Sequence, residues 1–204
     1  MDENVKRALE KWPNVPACTG WLLLDRRGAW RMRDEAVQAA GGLGEPIRHA
    51  QLNEFIGRNY LSDAHGRWFF QNGPQRVFVE LAYAPWIVRL MPVPAGETGH
   101  APLRDQTGAA FTPLRCWLVD DGNVVFEGRR GDDGALQFAL LHDHDLGPFT
   151  ERMSEQDGDT RWQADDGTLL PLAQLAEAEI EQRFGFVRHP SLALPADEDV
   201  PASR

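Results

Sequence analysis

The segment Gly66-Arg67-Trp68-Phe69-Phe70-Gln71-Asn72-Gly73-Pro74-Gln75-Arg76-Val77-Phe78-Val79-Glu80-Leu81 decides how the chain is read: two apolar runs about a turn, a β-hairpin. Side chains alternate along a strand, so Trp68 and Phe70 share one face while Arg67, Phe69 and Gln71 share the other, and both faces carry aromatic rings. Asn72-Gly73 alone is the signature of a two-residue primed turn. Pro74, however, has no N–H to close such a turn and biases Gly73 toward extended backbone, which predicts a wider loop from Asn72 to Gln75. That loop gathers Gln71, Asn72, Gln75 and Arg76 beside Arg67 and Trp68, hydrogen-bonding groups on a stiff aromatic hairpin. These six are the candidate ligand-binding residues. The rival reading is plain turn chemistry with a solvated arginine.

Upstream of the hairpin, Leu52, Phe55, Ile56 and Tyr60 recur at the spacing of one helix face. Val5, Leu9 and Trp12 mark a shorter N-terminal helix, stopped by Pro13 and Pro16. Between these helices, Gly20-Trp21-Leu22-Leu23-Leu24 and Ala29-Trp30-Arg31-Met32-Arg33 flank a turn containing Gly28 and predict another hairpin, followed by a mobile insertion over 34–45. Trp86-Ile87-Val88-Arg89-Leu90 predicts a further strand.

The second half follows the same plan. Cys116 to Phe126 resembles Gly20 to Trp30, with Trp117 matched to Trp21 at a spacing of 96 residues; Leu146, Phe149 and Met153 match the helix stripe, and Arg161-Trp162 and Asp166-Gly167 match Arg67-Trp68 and Asn72-Gly73 at 94. The fold class predicted is α+β: two related hairpin-helix-hairpin lobes, a degenerate tandem repeat, with N- and C-terminal helices and a disordered tail. The boundaries are 1–94 for the first lobe, 95–108 for a linker, 109–189 for the second lobe and 190–204 for the tail. The C-terminal helix is read over 170–184, with Leu172, Leu175, Ala176, Ile180 and Phe184 inward and Gly185 ending it. Two packed lobes leave a groove, where ligands often bind.

Of 204 residues, 42% are apolar and 25% charged, an ordinary globular composition. No apolar run is long enough for a membrane span and no basic-then-apolar leader opens the sequence, so the expected location is the cytoplasm, in soluble form with no membrane partner. The net charge of −10 is lopsided: residues 1–119 sum to +2 and residues 120–204 to −12. An acidic second half repels a phosphate backbone, and no basic, aromatic-interleaved patch offsets it, which argues against nucleic acid. Cys18 and Cys116 are too few and too far apart for a disulfide framework or a structural zinc pattern, and read as reduced, partly buried thiols.

Catalytic signatures are missing. The chain has no Gly-x-Ser-x-Gly elbow, no phosphate-binding loop and no Gly-x-Gly-x-x-Gly run, and its Asp-Asp pairs each precede a glycine, as turn residues do. No catalytic residue and no cofactor is assigned. The sharpest cluster is His142-Asp143-His144, whose imidazole and carboxylate groups suit zinc, iron or manganese. Asp145 beside it reads as a helix N-cap, which needs no metal. The leading expectation is a non-enzymatic small-ligand-binding or regulatory module, its partner a small molecule or protein of unknown identity. The alternative is a metal-assisted hydrolase using His142, Asp143 and His144.

The run Pro46-Ile47-Arg48-His49 with Leu52, Phe55 and Ile56, then Asn59-Tyr60 and the Trp-Phe-Phe-Gln-Asn-Gly-Pro-Gln-Arg segment 68–76, resembles an uncharacterised bacterial family known as a domain of unknown function. The likeness covers most of residues 3–90 and, more loosely, the rest. It implies the domain plan and carries no catalytic residues.

Overall fold

Five tight turns of one form set the layout. In Asp25–Ala29, Asp63–Arg67, Asp105–Ala109, Val119–Asn123 and Ala164–Thr168, the N–H of the first residue donates to the carbonyl of the fifth, and the fourth residue, a glycine, donates back to the carbonyl of the first. Those glycines have φ between 72 and 87°, a conformation that only glycine adopts without strain, and each loop joins two antiparallel strands. In three of the turns an aspartate opens the loop and performs two tasks. One oxygen of Asp25, Asp63 and Asp105 accepts two backbone N–H groups of its own turn. The other oxygen pairs with Arg31, Arg67 and Arg130 respectively.

The computed structural model describes residues 1–93, 100–131, 134 and 136–192. In chain order the first part holds α1 (Glu3–Lys11), β1 (Cys18–Leu24), β2 (Trp30–Met32), α2 (Glu35–Ala39), β3 (Glu45–Pro46), α3 (Ala50–Arg58), β4 (Tyr60–Ser62), β5 (Trp68–Asn72) and β6 (Gln75–Leu81). These strands form one six-stranded sheet in the order β3-β2-β1-β6-β5-β4, with β1 and β6 parallel. The second part holds β7 (Trp86–Leu90), β8 (Leu103–Asp105), β9 (Ala110–Val119), β10 (Val124–Arg130), β11 (Leu136–Leu141), α4 (Leu146–Thr150), β12 (Met153–Gln156), β13 (Asp159–Gln163), β14 (Leu169–Leu175) and α5 (Ile180–Phe184). Here β10-β11-β7-β8-β9 close on themselves through the β10–β9 pair into a small barrel, and β14-β13-β12 extend from β9. The fold is mixed α+β, strand-rich with short helices.

The same pairing scheme occurs twice. In both parts a hairpin (β1-β2, β9-β10) is followed by a strand on its outer side (β3, β11), a helix, and a three-stranded meander whose last strand returns parallel to the hairpin's first. The registers correct the residue matching expected from sequence. Leu24 faces Trp30 and Leu118 faces Val124, so the first hairpins align at a spacing of 94, and Leu23 rather than Trp21 stands where Trp117 does. Leu22 and Cys116 pair with Val79 and Leu172, while Phe70 and Trp162 pair with Val77 and Leu170. Trp162 therefore occupies the place of Phe70, not of Trp68.

Other expectations change as well. Residues 169–175 are strand β14, not the first half of a long helix; only Ile180–Phe184 is α-helical before Gly185 ends it in the left-handed conformation. Leu172, Leu175 and Ala176 do fit a helix face, but pairing on both sides, to β9 and β13, outweighs that local preference. The β5–β6 turn is tight: Asn72 faces Gln75, leaving Gly73 and Pro74 as its two central residues, with Gly73 at φ 57°. The turn lies one residue later than an Asn72-Gly73 turn would, so Pro74 is its second central residue, where its fixed φ suits a primed turn and its missing N–H is not needed. Asp34 caps α2 by accepting the Val37 N–H, so the segment expected to be a mobile insertion contains a helix and β3. The expected linker contains β8, and its residues 95–99 lie outside the described residues, as does the tail from 193 onward.

One hydrophobic core runs through both sheets. Its seam is aromatic: the Tyr60 ring lies 4.9, 4.7 and 5.2 Å from Trp30, Trp68 and Trp86, and Arg130 stacks 4.0 Å over Trp86. Two glycines key the parts together, since a Cβ on Gly28 would collide with Gln106 and one on Gly57 with Thr107. A final strap then crosses back onto the first sheet. The Leu81 N–H donates to Arg188, Val187 donates to Gly66 and forms a parallel bridge with Arg67, and the Arg188 Nε donates to Tyr83.

Candidate functional site: an apolar trough on the first sheet

Between Cys18 and Leu22, β1 uses four residues where β6 uses two, a bulge that breaks the ladder. Gly20 sits within it at φ 84°, and a side chain there would strike the Gln38 amide. Bulges re-aim side chains, and this one leaves Trp21 42% exposed although it lies between buried neighbours. Trp21 forms one lip of a trough of roughly 440 Å³. Buried Leu22, Ile56 and Phe70 form its floor, with half-buried Ile47, Leu52 and Val77 beside them. Met32, 49% exposed, lies on the lip with Trp21. At the far end, Asn72 and Gln75 contribute two neutral amides, and Cys18 contributes a half-buried thiol whose pKa burial raises. Cys116 is fully buried, its Sγ donating to the Pro171 carbonyl, and burial pushes its pKa up to about 12.

The structure separates the six hairpin residues expected to bind ligand. Asn72 and Gln75 reach the trough, Gln75 with its Nε2 donating 3.2 Å to the Pro16 carbonyl. Gln71 is buried and donates to the Gly73 carbonyl. Arg67 is 3% exposed, with its Nε 2.7 Å from Asp63 and its guanidinium 4.7 Å over Phe78. Arg76 lies half-buried over Phe69 on that same face, and Trp68 belongs to the aromatic seam. Trp21, Met32, Ile47 and Cys18 were missed by sequence reasoning. Gly20 was the one available signal, a glycine inside an otherwise regular strand.

A larger polar groove of roughly 670 Å³ runs between α3 and the β8–β9 turn. Its charges are already satisfied: Arg58 is held by Asp2 and Glu54, Arg130 by Asp105 and Thr107. It is the wet side of the seam between the two parts.

His142, Asp143 and His144 do converge, their ligand atoms lying within 4.8 Å of one another. Two of the three have partners for their ligand atoms. The His142 Nδ1 accepts the His144 N–H and so caps the turn, while Arg27 clasps Asp143 at 2.6 Å and holds its carboxyl below the usual range. Burial, then the charge of Arg89, lowers the His142 pKa. Asp145 makes no cap hydrogen bond, contrary to expectation; it accepts from Arg89 and from the Leu90 N–H.

Fold and trough define an α+β protein with an uncharged hydrophobic hollow and, among the described residues, no helix long and apolar enough to cross a membrane. The chain belongs to the family described as "Protein of unknown function (DUF2946)", whose profile matches residues 1–191. No curated protein matches it. Two solved structures are similar. One is a DUF1285 family protein from Silicibacter pomeroyi DSS-3, with 16% identity over 85% of this chain and 89% of that chain and a TM-score of 0.49. The other is a DUF1285 family protein from Shewanella baltica OS155, with 15% identity over 65% and 91% and a TM-score of 0.43. Likeness at this level bears on neither activity nor ligand.

Proposed function

We propose that this protein is a non-enzymatic, cytoplasmic binding module whose ligand lies in the trough, with its body against Trp21, Met32 and Leu52 and its polar end at Asn72 and Gln75. The observation that carries the reading is an open apolar hollow of ligand size on a face that is otherwise core. The second part of the molecule strengthens it: in the same pairing scheme there, Phe126 and Trp162 stand in the places of Met32 and Phe70 and pack 5.2 Å apart, so the position that is half exposed in the first part is filled in the second. The shared strand order supports a doubled ancestral unit, of which one copy kept its hollow open. Neither nucleic acid nor membrane is a partner in this reading.

The test uses the neutral dye Nile red and the two thiols. Binding should saturate and should slow N-ethylmaleimide labelling of Cys18, with buried Cys116 as the unreactive internal control. A Met32→Phe/Val77→Phe protein should bind little dye. Dye binding that leaves Cys18 labelling unchanged, or no binding at all, defeats the proposal.

The 4.8 Å convergence of His142, Asp143 and His144 favours a second reading, a metal-assisted hydrolase. Equilibrium dialysis against zinc followed by metal analysis decides it: stoichiometric zinc, lost in His144→Ala, supports the site, and the metal-free protein after zinc exposure removes it.

A further inference from the structure

We infer that the natural ligand of the trough is an uncharged amphiphile, an apolar chain or ring ending in a neutral hydrogen-bonding head such as a hydroxyl, ester or amide, and not a fatty-acid anion or an alkylammonium. The inference rests on the binding reading above and deepens it. Among the described residues that line the trough there is no Asp, Glu, Lys, Arg or His. The polar groups it offers are the Asn72 amide, exposed, and the Gln75 amide, whose Nε2 turns to Pro16 and whose oxygen remains an acceptor. An amide pair can both donate to and accept from a hydroxyl, and can donate to an ester carbonyl. It cannot neutralise a carboxylate, and an ionised head drawn into an apolar hollow without a counter-charge loses its hydration uncompensated.

The hairpin's cation is unavailable as a counter-charge. Gln71 pairs with Arg76 in register, which sets both on the face opposite Asn72 and Gln75, and the Arg76 guanidinium is spread 4.3 Å over Phe69. An alkylammonium likewise finds no carboxylate in the trough to receive it.

The test compares decan-1-ol, decanoate and decyltrimethylammonium at pH 8, matched in chain and different in head charge, by isothermal titration and by protection of Cys18 from N-ethylmaleimide. The alcohol should bind at least tenfold tighter than either ion and protect Cys18. Asn72→Lys, which places an ammonium at the exposed lip, should reverse the order in favour of decanoate. Decanoate or the ammonium binding the native protein as tightly as the alcohol, with Cys18 protected, overturns the neutral-ligand inference while leaving a binding trough. Failure of all three to bind or protect removes the trough as a ligand site altogether.

Discussion

Met32 and Phe126 occupy one position in two copies of a strand scheme, each facing the first hairpin strand across an antiparallel pair, at Leu22 and Cys116 respectively. Met32 is half in solvent; Phe126 has no exposure at all. Around Phe126 the rings of Phe149 and Trp162 stack on each other, with centroids 5.2 Å apart and planes 13° apart, and cover it. In the first unit Phe55 meets Phe70 edge-on at 5.4 Å, and nothing of that bulk stands over Met32. The same backbone plan can therefore make either a sealed core or an open site, and the difference lies in two side chains and a bulge.

Mutations that exchange the two states test this directly. Phe126→Ala removes a ring with no exposure and should cost about 3–5 kcal/mol in chemical denaturation, whereas Met32→Ala should stay within about 0.5 kcal/mol; equal costs would show that the two positions are not differently packed. Next in size, Asp105→Ala strips Arg130 of its carboxylate and a turn of its backbone acceptor, for an expected loss of about 3 kcal/mol. Asp121→Ala, at an exposed position of the Val119–Asn123 turn where the carboxylate accepts the Asn123 N–H, should cost under about 1 kcal/mol. A Phe126→Met/Trp162→Phe protein, which copies the first unit into the second, should lose about 2 kcal/mol and gain a second Nile red site. No gain in dye stoichiometry would mean that the trough depends on the bulge at Gly20 rather than on those rings.

The smallest effect concerns His142. Its folded-state pKa lies below the ordinary value because burial and Arg89 disfavour the charged form. The unfolded chain thus takes up this proton first as pH falls, so the contribution of His142 is present above pH about 6.5 and is lost as pH drops toward its folded-state pKa. His142→Asn keeps an acceptor for the His144 N–H and should flatten the stability profile in that window, measured by denaturation between pH 7.5 and 5.

How much of this was legible in the sequence follows from how local each signal is. The hairpins of β1-β2 and β5-β6 and the helices α1 and α3 are written in residues a few positions apart, and Gly28 and Gly73 mark the hairpin turns. The strand β14 is not, because Leu172 and Leu175 fit a helix face as well as a strand, and what selects the strand is pairing to β13 and to β9, the latter more than fifty residues earlier in the chain. The trough was beyond reach for the same reason. Alternation correctly separated Trp68 and Phe70 from Arg67 and Gln71, but which face is covered depends on the strap from Phe186 and on Asp63 drawing Arg67 inward. Asn72 and Gln75 were identified as polar groups on a rigid hairpin, yet Trp21 and Met32, which complete their surroundings, lie across a bulged parallel pair.

The strap over the first sheet also bears on how the molecule is made. During synthesis β1 can find β6 as soon as Leu81 has left the ribosome, and the first sheet can then pair along its length. Arg67 and Leu81, however, wait for Val187 and Arg188, among the last described residues to emerge. Until then the nascent first half carries an uncapped aromatic flank, so its maturation is vectorial but not modular: the early half is finished by the end of the late one.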